Sequence, residues 1–174
     1  MEFDLTQEFP VGLGRLWDAL GRAEYIEQKY RSLGTASLRI SKLSSDVDTI
    51  EVVLDRMALV ALDKLPPWAR LLAGTRQPVR HHTRWRRVSR DRVDAELDIR
   101  ALGRGVVAKG VGSLHELSPT RSRLSLHFEV AATSPTVLPG MAALFARQVR
   151  HALAADHAFT VDYLRAVPPH PGEA

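Results

Sequence analysis

One stretch restricts what this chain can fold into more than any other: the run from Gly140 to Leu164. It follows Pro139 and contains no proline. A proline suits a helix entry, because its missing N–H would have no partner there. About 25 helical residues at 1.5 Å each span roughly 37 Å, the width of a small domain. At about 100° per residue, Met141, Phe145, Val149, Ala152, Phe159 and Tyr163 share one half of the helix, with Arg147, Arg150, His157 and Val161 on the other. This is an amphipathic helix that needs an apolar surface to lie on. Gln148, Asp156 and Thr160 interrupt the apolar half. A carboxylate facing a dry core is costly unless it is paired, hydrated or protonated. Asp156 therefore has two readings: a structural pairing with a nearby Arg or a backbone N–H, or a polar contact in a cavity that the helix faces.

The rest of the chain supplies the surface. Glu2 to Phe9 alternates, with Phe3, Leu5 and Phe9 on one face, and predicts a first strand that Pro10 ends. Val11 to Gly34 predicts two short helices broken near Gly21, with Leu13, Leu16, Trp17 and Leu20 as a buried stripe. Strands are expected at Ala36 to Leu43 and at Thr49 to Met57, the latter alternating through Ile50, Val52 and Leu54, with a turn at Asp46 to Asp48. Pro66 and Pro67 open a short helix that Gly74 ends. Further strands follow at Val79 to Val88, Val93 to Ala101 and Gly105 to Leu117, and a seventh carries Leu124, Leu126, Phe128 and Val130. Consecutive strands with short turns favour an antiparallel sheet, and the long helix is the only large element available to cover its apolar face. The expected class is α+β: a curled seven-stranded antiparallel sheet wrapped around the C-terminal helix, with two short helices after the first strand.

At 174 residues the chain is read as one domain with a substantial core, occupying residues 1–166, followed by a disordered tail at 167–174. The absence of cysteine excludes disulfides, thiolate nucleophiles and cysteine-ligated metals. The opening residues do not resemble a signal peptide, and the longest apolar run, Met57 to Leu62, is far too short to span a bilayer. A cytoplasmic location is expected. The net charge is +4, with arginine outnumbering lysine 20 to 4, a balance too modest to argue for a nucleic-acid partner.

Phe9-Pro10 leading into Leu16-Trp17-Asp18-Ala19-Leu20, Trp85 late in the fourth strand, Gly110 with Leu114 in the sixth, and the closing helix together make the chain resemble the START-like helix-grip superfamily, which includes polyketide cyclases and pollen-allergen-like lipid carriers. Within it the chain is similar to an uncharacterised bacterial family. The resemblance covers the sequence to about Leu164. It implies a deep cavity between the curled sheet and the long helix that holds an apolar small molecule.

Other motifs weigh less. His81 and His82 are adjacent on a strand and point to opposite faces, so they cannot share one metal. His115 and His127 are expected to face outward, and no metal site is expected. Gly103, Gly105, Gly110 and Gly112 lie in or beside a strand, not in a phosphate loop; they read as a bend or bulge, or as space left for a cavity. The arginine run from Arg76 to Arg92 reads as a charge ladder. With Trp85 opposite Leu97, Arg86 would face Glu96 and Arg84 would face Asp98. Trp68 lies in the insertion before the fourth strand and is read as a lid or a plug, with a membrane-dipping element as a third option that its short length and few flanking basic residues disfavour.

The leading expectation is a soluble protein that binds an apolar or amphipathic small molecule, without a cofactor, a nucleic-acid partner or an integral membrane segment. Its cavity would be lined by Leu54, Val79, Thr83, Trp85, Leu97, Phe128, Phe145, Val149 and Phe159, with polar contacts from His81, Gln148, Asp156 and Thr160. The second is a cyclase- or dehydratase-type enzyme using Asp156 as general acid or base with His81 as partner. The third is a structural or interaction domain whose cavity is filled by side chains.

Overall fold

The computed structural model describes residues 1–60, 67–72 and 74–167. Of the expected tail it describes Val167 alone; residues 168–174 lie outside the described residues, as does Pro66. Strand β1 (Glu2–Phe9) leads into helices α1 (Leu13–Leu20) and α2 (Ala23–Ser32). Strands β2 (Thr35–Ser45) and β3 (Thr49–Leu59) follow, then the short helix α3 (Pro67–Leu72). Strands β4 (Arg76–Ser89), β5 (Arg92–Ala101), β6 (Val106–Ser118) and β7 (Arg121–Ala132) precede helix α4 (Met141–Ala166). The seven strands form one curled antiparallel sheet in the order β1-β7-β6-β5-β4-β3-β2. This is the expected α+β helix-grip architecture.

Local chemistry sets the turns. Asp46 accepts bonds from the backbone N–H groups of Asp48 and Thr49 through one carboxylate oxygen, at 3.1 and 2.7 Å, and so closes the β2–β3 turn. Gly140, at φ +86°, starts α4 in a left-handed conformation that favours glycine.

The two ends of the sheet treat α4 differently. On the β1–β7–β6 side the sheet packs directly on the helix. Phe3 stacks on Phe128 at 4.9 Å, and Phe128 and Val130 are fully buried with Ala146 and Val149. Hydrogen bonds hold the helix to β1. Gln7 donates to the Leu153 carbonyl at 2.9 Å, and His157 donates through Nε2 to the Glu8 carbonyl at 2.7 Å. The His157 ring also meets Phe9 edge-on at 5.0 Å. Arg15 of α1 reaches the Leu164 and Val167 carbonyls at 2.9 and 2.6 Å, supplying partners to the otherwise unsatisfied helix end.

One sequence expectation is refined here and another corrected. His157 and Val161, placed on the half opposite the apolar one, also meet the fold: His157 contacts β1, and Val161 packs against the core. A helix gripped by a curled sheet is contacted around more of its circumference than one apolar stripe covers. The β4–β5 register also differs: Trp85 pairs with Ala95 and Thr83 with Leu97, which puts Arg84 opposite Glu96 and Arg86 opposite Asp94. The Arg84 side chain reaches Glu51 on β3 at 3.6 Å, and Arg86 reaches Asp94 at 3.7 Å.

Candidate functional site

On the β3–β5 side the inner sheet face stands away from α4, and a cavity of about 850 Å³ lies between them. Its sheet wall follows from register. Leu54, His81 and Ile99 lie side by side on β3, β4 and β5, as do Val52, Thr83 and Leu97. Gln77, Val79 and Trp85 extend the lining along β4. Helix α2 contributes Tyr25, Ile26, Lys29 and Tyr30, and α4 contributes Phe145, Gln148, Val149 and Asp156.

Ten of the residues expected to line a cavity therefore meet in one: Leu54, Val79, His81, Thr83, Trp85, Leu97, Phe145, Gln148, Val149 and Asp156. Phe128, Phe159 and Thr160 do not line it. Phe128 is packed on Phe3. Phe159 sits between Tyr25 and Tyr163, at 6.0 Å from each ring. Thr160 is buried behind the lining. Gly110 leaves no cavity space either, because a Cβ there would come within 2.5 Å of the Phe128 ring; the glycine admits the phenylalanine. Trp68 is 42% exposed and lies over Gly140, where a Cβ would meet the indole at 3.5 Å. The indole is therefore partly open to solvent and lies beside the N-terminus of α4.

A polar cluster occupies the α2 side of the cavity. Asp156 pairs with Lys29 at 3.1 Å. Tyr25 donates to the Thr160 hydroxyl at 2.7 Å, and Thr160 donates to the Asp156 carbonyl at 2.8 Å. The Lys29 ammonium also lies over the Tyr25 and Tyr30 rings, 5.2 and 5.1 Å from their centroids. Burial works against the charged amine, but Asp156 with the two tyrosines outweighs it and holds the Lys29 pKa above its ordinary value. Both readings of Asp156 thus hold in part: it lines the cavity, and its cation is Lys29 rather than an arginine.

The second half of the cluster centres on His81. Arg56 Nε donates to His81 Nε2 at 3.1 Å, so that nitrogen carries no proton and Nδ1 does. Nδ1–H then points at the Tyr30 hydroxyl oxygen, at a long 3.4 Å. Burial, with Arg56 and Lys29 nearby, pushes the His81 pKa well below its ordinary value, so the ring is neutral at pH 7. Burial raises the Tyr25 pKa to about 12 and also raises that of Tyr30, so both phenols keep their protons.

Lys29, Tyr30 and Arg56 were not singled out from the sequence, although Lys29 and Arg56 each left a signal. Lys29 follows buried Tyr25 by four residues, which places both on one helix face. Arg56 continues the inward series Ile50, Val52, Leu54 in phase.

Elsewhere, Glu2, His127 and Glu129 bring potential ligand atoms within 4.8 Å of one another. His127 Nδ1 also bonds Asp4 at 2.9 Å.

A family model described as "Protein of unknown function (DUF2505)" matches residues 4–164. The chain belongs to this family. A search of curated proteins finds no match by sequence. Among solved structures, the Zhui aromatase/cyclase of Streptomyces sp. R1128 superposes with a TM-score of 0.66 at 13% identity, over 100% of this chain and 99% of that one. The START superfamily protein of Mycobacterium smegmatis gives 0.54 at 12% identity, over 93% and 98%. Norcoclaurine synthase of Thalictrum flavum, in complex with dopamine and hydroxybenzaldehyde, gives 0.56 at 12% identity, over 97% and 89%. At these identities the likeness is one of fold: this DUF2505 member has the fold of the START superfamily protein and of the aromatase/cyclase. No helix among the described residues is long and apolar enough to cross a membrane.

Proposed function

We propose that the chain binds an amphipathic small molecule, lipid-like or polyketide-like, between the β3–β5 wall and α4. The observation that carries this reading is the cavity itself: about 850 Å³ with apolar walls and one charged side. Such a volume lies within the usual range for ligand pockets. The solved structures of like fold include proteins named for acting on or holding small organic molecules, and that supports the reading by analogy of fold alone. The binding unit would be a single domain over residues 1–166, working in the cytoplasm. Native mass spectrometry of the purified chain, paired with titration of anilinonaphthalene sulfonate, tests it. A bound small molecule or a saturable one-to-one dye signal supports the proposal; a bare mass with no saturable signal sinks it.

One observation favours catalysis as a second reading. A neutral imidazole in contact with a tyrosine hydroxyl beside a cavity can serve as a proton-transfer pair. Asp156, committed to Lys29, serves that reading less well than the His81 and Tyr30 pair. Chemical change in a copurified molecule, lost in His81→Gln with binding retained, would favour the enzyme.

A further inference from the structure

We propose that the ligand of this cavity is an organic carboxylate with an apolar body, its head group seated on Arg56 and the Tyr30 hydroxyl. This deepens the binding reading above and rests on it.

Charge is the first argument. Among the described residues four cationic side chains line the cavity, Lys29, Arg56, Arg147 and Arg150, against the single carboxylate of Asp156. That carboxylate is occupied by Lys29. Arg150 lies over the Phe3 ring at 4.7 Å, on the closed side of the helix. Arg56 lies within the fold and has no acidic partner among the described residues. Its hydrogen bonds go to neutral His81, at 3.1 Å, and to the Thr35 hydroxyl, at 3.4 Å. A partly buried guanidinium without a counter-ion is costly, and the cost falls when an anion enters.

Hydrogen-bond capacity is the second argument. A guanidinium carries five N–H donors in a planar fork suited to the two oxygens of a carboxylate, and the protein occupies two of them here. Because Arg56 fixes the His81 tautomer, His81 directs its proton at the Tyr30 oxygen. The Tyr30 O–H is then left to donate elsewhere, and Tyr30 lines the cavity with Arg56 stacked on its ring at 5.3 Å. Donors converge at this point without a matching acceptor among the described residues.

The walls supply the third argument. Trp85, Leu97, Ile99, Phe145 and Val149 offer apolar surface to the same space. A ligand satisfying both regions has one anionic head and an apolar body.

Dodecanoate and 1-dodecanol, matched in chain length, test this by quenching of tryptophan fluorescence, since Trp85 lines the cavity. Dodecanoate is expected to bind the unaltered chain at least about tenfold more tightly than the alcohol, as expected for a hydrogen bond to a charged group. In Arg56→Met the preference is expected to vanish while alcohol binding persists. Equal affinity for acid and alcohol in the unaltered chain overturns the carboxylate assignment and leaves the binding reading standing. Binding of neither overturns both. A preference that survives in Arg56→Met, or tighter binding of dodecyl phosphate than of dodecanoate, also overturns it. The acid–alcohol comparison needs no variant, so it decides even if Arg56→Met fails to fold.

Discussion

The two ends of the sheet are built from similar residue types and do opposite things. Along β1, β7 and β6 the inward side chains meet α4, and the space is filled: Phe128 and Val130 have almost no exposure. Along β3, β4 and β5 the inward side chains are again mostly apolar, yet Thr83 and Leu97 are only half-buried, because they look into the cavity. The difference lies in where the helix is fastened. Gln7, Glu8 and Arg15 bond the backbone or side chains of α4, holding it at the β1 end. At the other end α2 props it through Lys29 and Asp156. A helix fixed on one flank and propped on the other leaves a gap over the middle strands.

That contrast can be broken by mutation. The largest effect is expected for Phe128→Ala on the filled side, a loss of about 3–5 kcal/mol in urea unfolding, as for a fully buried aromatic. Leu97→Ala on the open side should lose only about 1–2 kcal/mol, since the removed atoms already border empty space. Equal losses would erase the distinction.

Next comes the prop. Asp156→Asn leaves Lys29 inside the fold without its counter-charge. We expect a loss of about 2–3 kcal/mol, below the 3–5 kcal/mol of a fully buried pair, because a quarter of the Asp156 side chain meets solvent. Replacing both partners, Lys29→Met with Asp156→Leu, should recover most of it. A neutral Asp156→Asn would mean that the pair does not hold α2 to α4.

The pH dependence of the open side follows from His81, which packs against Tyr30 and Arg56 with Lys29 close by. Its folded pKa is depressed, while the unfolded chain titrates near the ordinary 6.5. Below that value the unfolded state binds the extra proton. Stability from this group is therefore complete above pH 6.5 and falls as the solution is acidified. His81→Gln should flatten the decline measured between pH 7 and pH 5; an unchanged slope would assign the acid sensitivity elsewhere.

The smallest effect belongs to Trp68. At 42% exposure, Trp68→Ala should cost under about 1 kcal/mol while speeding dye release in stopped flow, if the indole covers the approach beside Gly140. A loss of 3–5 kcal/mol would return it to the core.

Much of this architecture was legible because it rests on periodicity. The alternation of Val93, Ala95, Leu97 and Ile99 predicts both a strand and its inward face, and the length of the closing helix predicts what that face covers. Register was not legible. A slip of two residues preserves the alternation, so Trp85 opposite Leu97 and Trp85 opposite Ala95 look alike from sequence, although the charge partners of Arg84 and Arg86 change. Phe128 shows the same limit at the site. Its inward phase was correct, but only the stacked Phe3 and the missing side chain of Gly110 show that its ring fills the sheet–helix space. The cations of the cavity were missed for another reason: a charged residue in an inward phase, such as Arg56 after Leu54, reads as the end of the apolar series.

The account's central claim is that open space lies over the middle strands, and adding volume tests it most directly. Leu97→Phe, compared with Val130→Phe on the filled side, should hold or slightly raise stability in urea unfolding while abolishing dye binding. Val130→Phe should lose about 1–3 kcal/mol, as overpacked cores do, with dye binding retained. If Leu97→Phe instead destabilises as much as Val130→Phe and leaves dye binding intact, the cavity is not where the ligand goes.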